Sequence, residues 1–134
     1  MKDLSWKLSN ICIYIEKDIM QRKNLILDLT FEFSIKTIDL YVKIYKYNLS
    51  AINFQLLKSG TSIGANVEEA IAAQSRKDFI SKLSISLKEA RETRYWLRLL
   101  ERSKIVPIDF SDYLKNIEVI IKILSKIIIT TKGD

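Results

Sequence analysis

The stretch SRKDFISKLSISLKEARETRYWLRLLERS, residues 75–103, contains neither Gly nor Pro. On a wheel turning about 100° per residue, Phe79, Leu83, Leu87, Ala90, Leu97 and Leu100 fall together on one side. That periodicity predicts a long amphipathic helix with this side toward a core. Ser75 and Asp78 have the S-x-x-D spacing of a capping box and set its start. Pro107 lies just past its end.

The flanking sequence repeats the pattern. Ser50 offers a cap for a helix carrying Ile52, Leu56, Leu57, Ile63, Val67 and Ile71. Asp109 or Ser111 starts a last one through Leu114, Ile117, Ile121, Leu124 and Ile128. Upstream, a helix starting near Asp28 or Thr30 runs through Phe31, Ile35, Ile38, Val42 and Tyr45. Before it, Leu4, Leu8, Ile11, Ile15 and Ile19 mark a further helical segment, and the polar run 21–24 reads as a connector. Four long helices with short connections pack as antiparallel neighbours. The expected fold is all-α: an antiparallel up-down four-helix bundle over residues 24–134, with an additional N-terminal helical segment over 1–23.

Composition agrees and narrows the function. The 134 residues include only 3 Gly and 1 Pro, too few for the turns of an all-β domain. There is no His and one Cys, so a di-metal bundle site, a zinc cluster and His-assisted nucleophilic catalysis are not expected. Neighbouring Glu68 and Glu69 point about 100° apart on a helix and cannot form one acid–base pair. The sequence therefore predicts no catalytic residues, no metal site and no cofactor. The apolar stretch 117–129 is broken by Glu118, Lys122 and Lys126 and is shorter than the ~20 residues of a membrane span. No export signal is evident, so a cytoplasmic protein without membrane association is expected.

Charge is unevenly distributed. Lys and Arg number 22 against 16 acidic residues, for a net charge of +6. Of the six Arg, five lie within residues 76–102. Lys77, Lys88, Arg91, Arg98 and Arg102 share one arc of the helix, with Arg76 and Arg94 at its edge and Tyr95 inside it. Guanidinium offers a planar fork that Lys cannot imitate, suited to phosphate, carboxylate or an aromatic face. One reading is a ladder of phosphate clamps with a stacking tyrosine. The other is a set of ion pairs with acids of a neighbouring helix or subunit, such as Glu32, Glu68 or Glu69.

Gly60 and Gly64, spaced i, i+4, would each cost a helix about 1 kcal/mol relative to Ala. Their spacing clears one face for close approach of a second helix. A phosphate-cradling loop is the alternative, but no strand precedes the pair and no G-K-[ST] follows it.

The runs QLLKSGTSIGANVEEA, residues 55–70, and residues 75–100 resemble the signature of the bacterial four helix bundle protein family. That family includes proteins encoded by intervening sequences in 23S rRNA genes and the accessory variability determinant of diversity-generating retroelements. The resemblance implies a homopentameric barrel with a positively charged surface that binds nucleic acid. In retroelement members it implies association with a reverse transcriptase. The apolar Ile85 and Leu99, off the core side, and the glycine pair are likewise consistent with an oligomer. The function expected is a non-catalytic, homo-oligomeric protein contacting structured RNA or RNA–DNA hybrid through Lys77, Lys88, Arg91, Arg94, Tyr95, Arg98 and Arg102. The rival expectation is an adaptor whose basic face docks an acidic protein partner.

Overall fold

The computed structural model describes residues 5–133. Four helices follow one another: α1 (Ser5–Tyr45), α2 (Ser50–Ile71), α3 (Arg76–Ser103) and α4 (Ser111–Gly133). Each packs against its neighbour in sequence, and α4 closes back onto α1. The chain is an antiparallel up-down four-helix bundle, its first helix much longer than the rest.

The break expected at residues 21–24 does not occur, and α1 runs through it as one helix. Polarity alone does not end a helix, and none of these four residues is Gly or Pro. Arg22 and Asp18 bridge one turn of the polar stretch at 2.9 Å. Thr30, expected as a cap, instead donates its hydroxyl to the Ile26 carbonyl at 2.7 Å inside the helix. Leu4 and the side chain of Leu8 lie outside what the structure describes.

A second correction concerns which side of α1 faces the core. Phe31, Ile35, Ile38, Val42 and Tyr45 are all exposed. The buried line is Ile26, Thr30, Phe33, Thr37, Leu40 and Ile44. Two of these are threonines, which read as surface residues in the sequence. Their hydroxyls bond carbonyls four residues back, so burial leaves no polar group unpaired.

Caps fix the starts of α3 and α4. Ser75 Oγ accepts the Asp78 N–H at 3.0 Å and starts α3. Asp109 accepts from the Ser111 N–H at 2.9 Å and the Ser111 hydroxyl at 2.7 Å at the start of α4. Those two bonds hold the Asp109 carboxyl below the usual carboxylate range. Ser50 is not a cap: α2 begins after Leu49 with no side-chain bond, following a turn in which Asn48 has φ 59°. On α3 the core line is Phe79, Leu83, Ser86, Ala90, Thr93, Leu97 and Leu100, and Leu87 is only half-buried. Val106 and Phe110 of the α3–α4 connection fold inward and plug one end.

Gly60 and Gly64 lie where α2 crosses α1. A Cβ at Gly60 would stand 2.6 Å from Thr37 Cγ2, closer than real contacts allow. At Gly64 it would meet Ser34 Oγ and the Thr30 carbonyl oxygen at 3.2 Å. The α2–α3 seam on the other side is joined by hydroxyls. Ser86 donates to the Ile63 carbonyl at 2.8 Å, and Thr93 lies 2.9 Å from Ser59 Oγ. These contacts fix the rotation of α3 about its axis, and with it the direction of its basic side.

Candidate nucleic-acid interface

With Ser86 and Thr93 turned to α2, the opposite flank of α3 meets α4. There Arg94 donates to Glu118 Oε1 at 3.0 Å. Between these two contacts the outer arc of α3 faces away from the bundle. Lys77, Lys88, Arg91, Tyr95, Arg98 and Arg102 are all exposed on it. Arg94 is half-buried at its border and already holds a carboxylate.

Among the described residues, no carboxylate comes within 4.0 Å of Lys77, Lys88, Arg91, Arg98 or Arg102. Of the acids considered as partners, Glu69 pairs with Lys82 at 2.9 Å, and neither Glu32 nor Glu68 meets an arginine. Arg91, Arg98 and Arg102 follow one another at intervals of about 10 and 6 Å along the helix axis. Uncompensated guanidinium groups on a rigid rod form a field of one sign, attractive to a polyanion and screened by salt.

Tyr95 stands within this field, 55% exposed. Its ring meets Trp96 edge-on, centroids 5.3 Å apart at 68°. Trp96 is half-buried and donates its indole N–H to Glu92 at 3.4 Å. The tyrosine is thus positioned from one side while more than half of it faces solvent, an arrangement suited to stacking on a base.

The acids of α3 lie elsewhere. Burial pushes the Glu89 carboxyl above the usual range, and the charge of Glu92 adds to the effect. Among the described residues, no three His, Cys, Asp or Glu side chains gather into a metal-sized cluster. No described helix is long and apolar enough to cross a membrane.

The two largest cavities lie off the basic arc. One of about 340 Å³ opens at the end of the bundle between Ile19, Lys23, Ser75, Arg76 and Phe79. Lys23 Nζ sits 4.7 Å from the Phe79 ring centroid there, a cation–π contact bringing α1 beside the start of α3. Nothing in the local sequence around Lys23 signals that neighbour, because the two residues meet only through the fold. The other, about 330 Å³, is an apolar groove between α1 and α2 lined by Leu27, Phe31, Ile38 and Ala65.

Residues 22–126 match the protein family described as 23S rRNA-intervening sequence protein. Among solved structures, the chain is similar to a protein of unknown function from the S23 ribosomal protein family of Bacteroides thetaiotaomicron VPI-5482. The two are 41% identical with a TM-score of 0.71, over 80% of this chain and 97% of that one. None of the curated proteins matches. The family match takes in the whole basic arc of α3 and both α2 glycines, and begins only at Arg22, within α1.

Proposed function

The chain belongs to the 23S rRNA-intervening sequence protein family, and on that footing we propose that it is a non-catalytic, oligomeric nucleic-acid-binding protein of the cytoplasm. Its contact surface is the outer arc of α3: Arg91, Arg98 and Arg102, flanked by Lys77, Lys88 and Tyr95, with Arg94 at the border. One observation carries this reading. Five exposed cations share a helix face with no carboxylate partner among the described residues, although Arg94 next to them has one. A rigid rod with such a face follows a phosphate backbone and reads shape more than sequence, which suits structured RNA or an RNA–DNA hybrid.

Assembly is part of the proposal. Phe31, Ile35, Ile38, Val42 and Tyr45 form an exposed apolar stripe on α1, and Ile85 and Leu99 a smaller patch on α3. Two unlike apolar surfaces on one chain suit a head-to-tail contact that closes into a ring. The resemblance drawn above implies five copies. Several copies would multiply the basic arc.

The second reading, an adaptor for an acidic protein such as a polymerase, draws on the Arg94–Glu118 pair, which shows this face accepting a carboxylate. Titration with structured RNA at physiological salt separates the two. Saturable binding, lost in Arg91→Gln/Arg98→Gln/Arg102→Gln while the native mass is kept, supports the nucleic-acid reading. Absence of saturable binding supports the adaptor. A variant that loses its assembly, with no selective loss of RNA, would make these arginines interface residues instead.

A further inference from the structure

The first third of α1 projects past the bundle. Ile19 is level with the α2–α3 turn on one side and with Ile127 and Thr131 of α4 on another, so it marks the bundle's end. From Ser5 to Lys17 every described side chain is exposed. This arm adds about 20 Å of unaccompanied helix.

Its surface is not that of a solvated helix. Ile11, Cys12 and Ile15 fall in line with Ile26, Phe33 and Leu40, the core line of the same helix, yet among the described residues no helix lies opposite them. Trp6, Ile13 and Met20, seven residues apart, fall in line with Phe31, Ile35, Ile38 and Val42, the exposed stripe within the bundle. The centres of the two lines are separated by roughly 145°. The shorter gap between them holds Ser5, Ser9 and Glu16, and the longer gap holds Lys7, Asn10, Tyr14, Lys17, Asp18 and Gln21.

We propose that the arms of neighbouring copies pack side by side, parallel, as a helical cuff at one end of the assembly. This rests on the oligomer proposed above and extends it to a segment outside the family match. One partner helix covers one apolar stripe, so two stripes on different sides call for two neighbours. A ring of identical copies gives each arm those two neighbours, and rotational symmetry points all arms the same way. Trp6, Ile11, Ile13, Ile15 and Met20 are each about half-exposed. Together they offer on the order of 500 Å² of apolar surface, toward the ~800 Å² that each partner contributes to a stable interface. A helix lying on a membrane would instead gather its apolar residues on one side and its cations on the other. Here the apolar lines are split, Asp18 shares the longer gap with Lys7 and Lys17, and Glu16 lies in the shorter one.

The single cysteine, exposed on the arm, provides the test in the full-length protein. Parallel arms in register bring Cys12 of one copy beside Cys12 of the next. A short bis-maleimide should then give covalently linked dimers on a denaturing gel, and nothing larger, because each chain brings one thiol. The link should disappear in Cys12→Ser. It should fall sharply in Ile13→Lys/Ile15→Lys, whose exposed positions leave the bundle fold intact by circular dichroism. An intact oligomer that gives no Cys12 link, or a double variant that links as well as wild type, overturns the cuff and leaves the oligomer standing. A monomeric wild type by light scattering overturns both. Uptake of the arm by phosphatidylglycerol–phosphatidylcholine vesicles, with no link between copies, overturns the cuff in favour of a lipid surface.

Discussion

Replacing Gly60 with Ala tests how closely α1 and α2 are drawn together. The added Cβ would stand 2.6 Å from Thr37 Cγ2 and 2.8 Å from Thr37 Oγ1. Thr37 cannot yield easily: it is β-branched, 2% exposed, and donates its hydroxyl to the Phe33 carbonyl at 2.8 Å. Overpacking a core costs about 1–3 kcal/mol, while Ala gains roughly 1 kcal/mol over Gly in a helix. With so hard a contact we expect a net loss of about 1–2 kcal/mol, a fall in Tm of roughly 3–8 °C. Thr37→Ala removes both offending atoms, and the nearest atom left is Thr37 Cβ, 3.2 Å away. In that background Gly60→Ala should change sign and stabilise by up to ~1 kcal/mol. Thermal and urea denaturation at one fixed protein concentration measure both effects, since assembly makes Tm concentration-dependent. A rise in Tm on Gly60→Ala in the wild type would refute the close approach.

Two further outcomes follow from the charges of α3. Because burial and Glu92 raise the Glu89 carboxyl, the folded state favours its neutral form. Its contribution is complete below the unfolded glutamate value of about 4.3 and is lost as pH rises through the raised folded value. Glu89→Gln should therefore raise Tm at pH 7 and make no difference at pH 3.5; an equal effect at both would remove burial as the cause. Arg94 and Glu118 are both partly exposed, so their pair is worth at most about 1 kcal/mol. Arg94→Gln should lower Tm slightly and weaken RNA binding less than Arg98→Gln does, as measured by parallel titrations of the two single variants.

The helical bundle was legible because α3 states it plainly: a serine cap, an unbroken 3.6-residue period and a proline beyond the end. The facing of α1 was not. That helix carries two apolar lines of the same period, and the one turned inward includes Thr30 and Thr37, whose hydroxyls are satisfied within their own turn. Ser59, Ser86 and Thr93 were missed for a related reason. A small hydroxyl reads as surface until a neighbouring helix supplies its partner, as α2 and α3 do for each other. The polar run at 21–24 suggested a break because sequence shows polarity directly, whereas continuity of the helix depends on the absence of breakers. In the candidate site, the grouping of arginines on one arc follows from helical spacing alone. Which of them meets an acid depends on a contact between residues of two helices, 24 positions apart in sequence, and that contact singles out Arg94.

The most direct test of the central claim is the salt dependence of binding to an RNA duplex, wild type against Arg91→Gln/Arg98→Gln/Arg102→Gln. Each phosphate neutralised contributes roughly 0.7–0.9 to the slope of log K against log salt. If the three guanidinium groups grip the backbone, the variant's line should be shallower by about 2–3. Parallel lines for the two proteins would mean that the outer face of α3 does not touch the nucleic acid.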